Sequence, residues 1–291
     1  MSGLETFDTS PLLARLHEAD LTVAATVGKA LPAIGRAADA IAGRLDAGGR
    51  WFYTGAGTSG RMGALDAAEL PPTFGTEPSL VVALLAGGPR AMLEAVEGAE
   101  DDEAAGARDL ETAGMTSRDA VVGIAASGST PYVIGAIRFA REAGALTVAV
   151  VCRPKTELLT LAEIPILLDT GPEVLSGSTR LKAGTAQKMA LNILSTAVMA
   201  KRGLVFEGEM VAMKPTNEKL KKRAIRIVVE LTQTTEENAE DLLRKGNWEL
   251  PVALVAARWR LDLPTARIHL SKKKNNVAAA LTQPPAKEGG P

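Results

Sequence analysis

Cysteine is almost absent from this 291-residue chain: Cys152 stands alone, which excludes an intramolecular disulfide. Histidine is nearly as scarce. One thiol with two distant imidazoles, His17 and His269, argues against a structural zinc site. No apolar run reaches the roughly 18 residues that a membrane helix needs. The opening residues 1–8 lack the charged and apolar regions of a secretory leader. Neither sign of charge is in excess, since 33 Lys and Arg against 34 Asp and Glu leave a net charge of −1. With no polybasic run beyond residues 272–274, nothing calls for nucleic acid or a membrane surface as partner. The expectation is a cytoplasmic protein with no metal and no cofactor.

Ala, Gly, Leu and Val are abundant instead, and the chain is organised around residues 51–61. A short β-prone run, 51–54, feeds glycines at 55, 57 and 60, and a helix-compatible run follows. Glycines there let the backbone turn tightly and present N–H groups to an anion at a helix N-terminus. The spacing also fits the G-x-G-x-x-G dinucleotide fingerprint. That motif needs an acidic residue about 20 positions on, ending the second strand, to hold a ribose hydroxyl. Here the second strand, residues 79–85, runs into Ala86, Gly87 and Gly88 without an acid. Thr58 and Ser59 supply hydroxyls suited to a phosphate monoester, so a sugar phosphate fits better than a dinucleotide. An ordinary Gly-rich βα turn is the plain alternative.

Residues 10–47 read as helical, with Ser10 and Pro11 as N-cap and N1. After the glycine loop a helix through Met62, Leu65 and Ala68 is expected to stop before Pro71 and Pro72. Strand, Gly87-Gly88 and helix follow, then an acidic segment, 94–103, whose default is an exposed helical face. Residues 120–126, 146–152 and 164–168 read as strands, 132–142 as a helix, and 182–201 as a long, nearly apolar, buried helix. Short β-rich runs alternating with helices give an α/β fold with a parallel sheet. After Pro215 the pattern turns to amphipathic helices, 216–231 capped by Thr216, one opening at 234–238, one over 251–260 and one from 264. These make a small C-terminal helical bundle. The expected organisation is 1–48 N-terminal helices, 49–213 phosphosugar-binding domain, 214–282 helical region and 283–291 disordered tail.

Ser127, Gly128, Ser129 and Thr130 sit where the Gly55 loop sits, at the C-terminal end of a strand before a helix. Ligands of open parallel sheets bind outside those ends, so the loops can converge on one site. Ser59, Ser127, Ser129 and Thr130 are then phosphate donors, the alternative being that they only cap helices. Glu69 follows the glycine loop and, on composition alone, reads as solvated. Glu97 and Glu100 fall three apart, on one side of a helix if 94–103 is helical. Arg180, Lys182 and Lys188, near residues 176–179, add positive charge for a sugar phosphate or an internal carboxylate.

Several blocks together resemble the N-acetylmuramic acid 6-phosphate etherases: Gly55-Ala-Gly-Thr-Ser-Gly-Arg61, Leu65-Asp-Ala-Ala-Glu-Leu-Pro-Pro-Thr-Phe-Gly75, residues 86–88, residues 95–102, residues 123–133, residues 171–188 and Thr216-Asn-Glu-Lys-Leu220. They cover roughly residues 8 to 260 in order. The resemblance implies a three-layer αβα sugar isomerase (SIS) domain that recognises phosphosugars, a helical C-terminal segment and a homodimer. It implies cleavage of the D-lactyl ether of N-acetylmuramic acid 6-phosphate to N-acetylglucosamine 6-phosphate and D-lactate in cell-wall recycling. The family's two functional glutamates fall on Glu69, as proton donor to the lactyl oxygen, and Glu100, for C2 deprotonation or water activation. The substrate-binding candidates are Gly57, Thr58, Ser59, Ser127, Gly128, Ser129 and Thr130, with Glu97, Ser178 and Lys182.

Family members usually carry a longer N-terminal segment, often Arg in place of Ser129 and Cys in place of Leu70, and the region after Asn247 matches poorly. Ser129 lies in the phosphate loop and so bears on substrate preference. Two other readings compete. A non-catalytic phosphosugar sensor like the glucokinase regulatory proteins has no need of paired acid and base carboxylates, and an aldose–ketose isomerase does not account for the Glu69 and Glu100 blocks.

Overall fold

The computed structural model describes residues 4–285, so part of the expected tail, 286–291, lies outside the described residues. The chain divides into two compact units, Met1–Ala68 with Pro78–Val198, and Glu69–Glu77 with Met199–Pro291. Two of the three boundaries, after Ala68 and after Val198, fall inside helices, which no shift in composition marks.

In the first unit α1 (Thr9–Asp20) and α2 (Val23–Asp46) precede a five-stranded parallel sheet in the order β2-β1-β3-β4-β5. The strands are β1 (Trp51–Gly55), β2 (Val81–Leu85), β3 (Ala120–Ala125), β4 (Leu146–Val151) and β5 (Ile164–Leu167). Between and after them run α3 (Gly57–Phe74), α4 (Glu103–Thr112), α5 (Pro131–Glu142), α6 (Glu157–Leu161) and α7 (Lys182–Lys201). Trp51 pairs with Ala120, so alternation puts Tyr53 and Ile124 on one face and Phe52, Val121 and Ala125 on the other. The second group is buried with Leu110 of α4, Tyr132 and Ile137 of α5, and Leu158 of α6. On the first face α3 comes down on Tyr53 and Ile124, which leave no room for a side chain at Gly63. Helices on both faces of a parallel sheet make the three-layer αβα arrangement. β1, β3 and β4 are buried along their whole length, as a sheet covered on both faces requires.

The second unit has its own core. A hairpin of β6 (Val205–Phe206) and β7 (Glu209–Met210) precedes α8 (Glu218–Thr232), α9 (Glu236–Lys245), α10 (Leu250–Trp259), α11 (Leu263–Lys272) and α12 (Val277–Thr282). Ile227, Val228, Leu243, Leu254 and Ala280 are buried in one cluster. Among the described residues no helix is long and apolar enough to cross a membrane.

Five local expectations need correction. The N-cap of α1 is Asp8, not Ser10, and Pro11 sits within the first turn, where N–H groups have no intrahelical acceptor to lose. α3 does not stop before the prolines. It runs through Pro71 and Pro72 to Phe74, giving up the two i→i−4 bonds that the prolines cannot make, and Gly75 N closes the end on Pro71 O at 2.9 Å. The N-cap of α8 is Asn217, whose side chain accepts from Leu220 N at 2.9 Å. The acidic run is not one helical face. The helix expected after Gly87-Gly88 is a 3-10 turn, Pro89–Met92, the run itself holds a second, Ala99–Asp101, and α4 starts only at Glu103, capped by Asp102. Left-handed glycines at 87, 88 and 98 break any longer helix, so Glu97 and Glu100 share none.

One buried polar cluster, absent from the sequence reading, fixes α3 against β1 and α7. Asp66 is 4% exposed and accepts from Tyr53 Oη (2.8 Å), Asn192 Nδ2 (2.7 Å) and Ser195 Oγ (3.0 Å). Burial pushes its carboxyl above the ordinary range, against the opposing pull of the three hydrogen bonds and of the Lys188 charge. Asp66→Ala is expected to cost about 3 kcal/mol in urea unfolding, because it strands buried donors, and Tyr53→Phe about 1 kcal/mol. Losses below about 0.5 kcal/mol in both would remove the cluster from the stability of the fold. A carboxyl with a raised folded pKa binds more protons folded than unfolded. Its contribution is therefore present below about pH 4 and lost as pH rises through the raised value. Wild type should lose stability relative to Asp66→Asn over that rise.

Candidate functional site

The strand order reverses between β1 and β3, so the chain leaves these two neighbours toward opposite ends of the sheet. A crevice at the C-terminal ends of such strands is where open α/β sheets bind ligands. The glycine loop leaves β1 there, and the Ser127 loop leaves β3 beside it.

The glycine loop is shaped by backbone crowding. A Cβ on Gly55 would lie 2.7 Å from Gly60 Cα, and one on Gly60 would lie 2.6 Å from Gly55 O, so strand end and first helical turn touch main chain to main chain. Thr58 stays partly accessible, and Ser59 is turned inward, its Oγ donating to Gln187 Oε1 at 3.0 Å. Gln187 is fully buried and its Nε2 has no partner among the described residues. In the second loop Gly128 adopts φ 71°, and a Cβ there would lie 2.3 Å from Thr156 Oγ1, so only glycine fits. Ser127 Oγ accepts from Ser129 N at 3.2 Å and lies 3.4 Å from Thr130 Oγ1. Thr130 is the N-cap of α5 but makes no side-chain cap bond, which leaves its hydroxyl to the loop.

Gly57, Glu97 and Glu100 line a single cavity of about 180 Å³, together with Arg61, Ala86 and Val96. Both glutamates are exposed. Glu69 is exposed too, one turn beyond Asp66 on α3, and belongs to the second unit. A second cavity of about 310 Å³ is lined by Cys152, Arg153, Asp169, Ser176 and Thr179 among others. Ser178 is half-buried in the turn before α7. Lys182 is buried, and its Nζ donates to Thr170 O at 2.8 Å. Glu173 caps α7, accepting from Lys182 N at 3.1 Å and Ala183 N at 2.9 Å.

Residues 33–141 match the family model for the glucokinase regulatory protein N-terminal SIS domain, and residues 99–197 match that for the SIS domain. Phosphoheptose isomerases of Francisella tularensis and Neisseria gonorrhoeae share the fold, with TM-scores of 0.52 and 0.51 at 19% and 18% identity. They cover 67% and 66% of this chain and 100% and 98% of their own. The N-acetylmuramic acid 6-phosphate etherases of Salmonella agona (strain SL483) and Salmonella typhi are each 51% identical over 278 residues, 96% of this chain and 94% of theirs. The chain belongs to the N-acetylmuramic acid 6-phosphate etherase family.

The etherase alignment is longer than the stretch from residue 8 to 260 carried by the sequence blocks, so family likeness reaches further along the chain than those blocks. Sequence reasoning missed four residues that shape the site: Arg61, Gln187, Glu173 and Thr156. Arg61, Gln187 and Glu173 lie inside the etherase blocks and Thr156 between two of them, and no spacing rule points to any of the four.

Burial pushes the Cys152 thiol up to about 12, with Glu173 and Asp169 adding to the shift. Iodoacetamide at pH 8 is expected to leave the native thiol unlabelled and to label it fully after unfolding in urea, read by intact mass. Stoichiometric labelling of the native protein within minutes would show that the second cavity opens.

Proposed function

We propose that the protein is an N-acetylmuramic acid 6-phosphate etherase, and that Glu69 and Glu100 carry its chemistry. The observation that carries the reading is 51% identity to named etherases over 96% of the chain. The grouping of Gly57, Glu97 and Glu100 around one cavity supports it. Residues 49–213 are the phosphosugar-binding part, 214–282 the helical part, and the enzyme works as a cytoplasmic homodimer in cell-wall recycling.

In the open-chain aldehyde the C2 proton is acidified by the neighbouring carbonyl, and lactate is attached at C3 through its ether oxygen. Glu100 takes the C2 proton. The C3–O bond breaks as Glu69 protonates the departing oxygen, so D-lactate leaves with that electron pair and a C2–C3 double bond remains. Water then adds, its oxygen to C3 and a proton to C2, giving N-acetylglucosamine 6-phosphate. Proton transfers of this kind contribute on the order of 10²–10⁴-fold each. Thr58, Ser127, Ser129 and Thr130, with the N–H groups of Gly57 and Gly128, hold the phosphate by charge-assisted hydrogen bonds. Ser59 orders the loop through Gln187, and Ser178 and Lys182 support the neighbouring turn.

Purified protein incubated with N-acetylmuramic acid 6-phosphate is expected to release D-lactate, and Glu69→Ala and Glu100→Ala are each expected to lose on the order of 10²–10⁴ in kcat. Light scattering should give twice the chain mass. Tight phosphosugar binding by the wild type without lactate release would sink the etherase reading in favour of a sensor.

A further inference from the structure

Arg61 closes the glycine motif and lies in the second turn of α3. Its Nε donates to the carbonyl oxygens of Ala91 (2.9 Å) and Met92 (3.1 Å), and its Nη2 to that of Glu94 (2.9 Å). These bonds all end on main chain, so the planar fork spans carbonyls of one segment and not a carboxylate. The carbonyls belong to the end of one 3-10 turn and the irregular residues after it, where neither helix nor sheet is there to satisfy them. Arg61 takes the place of that missing ladder.

A second anchor lies just beyond. Val96 closes on Gly87, where an added Cβ would come within 2.8 Å of Val96 Cβ. The chain then passes Glu97, turns at Gly98 with φ 73°, and delivers Glu100 in the short turn Ala99–Asp101. Arg61, Glu97 and Glu100 line the same cavity as Gly57. We propose that Arg61 is the positioning residue of this segment, holding Glu97 and Glu100 against the glycine loop through the main chain of residues 91–94. Because Arg61 and the loop share the first turns of α3, loop and carboxylates keep one frame of reference. The assignment rests on the etherase reading of Glu100.

The test is lactate release by Arg61→Ala and Arg61→Lys, with hydrogen–deuterium exchange on the same full-length proteins. In Arg61→Ala, kcat is expected to fall about 10²-fold, the scale of an ångström's misplacement, with KM changed less than about threefold. Amides of residues 91–98 should exchange about tenfold faster or more, with residues 55–60 as protected as in wild type. Arg61→Lys has no fork to span the carbonyls, and should show the same pattern more mildly. Ethylguanidinium should restore part of the lost kcat in Arg61→Ala. Unchanged kcat or unchanged exchange at 91–98 in both variants would overturn the proposal. A raised KM with kcat kept would overturn it too, by making Arg61 a substrate contact, and so would faster exchange across the whole chain, by making it a residue of global stability. Should Arg61→Ala not fold, the lysine variant decides by the same criteria. A wild type that releases no lactate would refute the etherase reading, while the exchange data would still decide whether Arg61 holds the segment.

Discussion

The contact between Gly55 and Gly60 sets the register of everything that follows it. Strand β1 ends and α3 begins within a van der Waals contact that admits no side chain on either residue. Once the first turn of α3 is seated there, its 3.6-residue repeat decides what each later position meets. Ser59 meets Gln187, Gly63 settles over Tyr53, and Asp66 meets Tyr53, Asn192 and Ser195, while Arg61 points the other way to the carbonyls of residues 91–94. A bulky residue at either glycine would move all of these together. Only two of the motif's glycines are used for this crowding, and Gly57, with φ 51°, lies open at the cavity.

The same helix divides its labour between holding and exposing. Its inward positions carry a buried carboxyl with three hydrogen-bond donors, a costly arrangement that is stable only because each donor is satisfied. Glu69, a turn further on, is exposed. The two carboxylates sit three residues apart on one helix, one buried and one facing solvent. Composition cannot separate them, since Asp66 and Glu69 look alike in a linear reading of Leu65-Asp-Ala-Ala-Glu-Leu70.

How much of this was legible depends on the range of the physics involved. The parallel sheet, the long α7 at residues 182–201 and a helix opening within residues 234–238 follow from local pattern, and the structure has them. The errors are also local, but at places where a default rule has an exception. Proline is a default helix stop, yet α3 carries Pro71 and Pro72 in its last turn and ends only at Phe74. The acidic run has helical spacing, yet the glycines flanking it adopt left-handed φ and Arg61 holds it as an irregular segment. That grip crosses some 30 residues of sequence, and nothing in the spacing of acids or glycines encodes it. The blocks that carry the family resemblance mark where the site is, and leave unsaid which of their residues touch ligand and which hold those that do.

The fold by itself does not choose the chemistry. Phosphoheptose isomerases have the same three layers at under a fifth identity, so the sheet and its switch-point crevice are shared ground. In this chain the loop at the end of β3 adds hydroxyls, of which Thr130 makes no cap bond to its own helix. What differs between reactions has to come from groups near the far end of the sugar. In this chain the carboxylates proposed for that role, Glu100 and Glu69, lie in an irregular part of the first unit, residues 93–101, and on the exposed side of α3. Irregular backbone can aim a carboxylate where no helix or strand would put it, but only if something else fixes that backbone. Arg61, whose hydrogen bonds end on the carbonyl oxygens of Ala91, Met92 and Glu94, is the group placed to fix it.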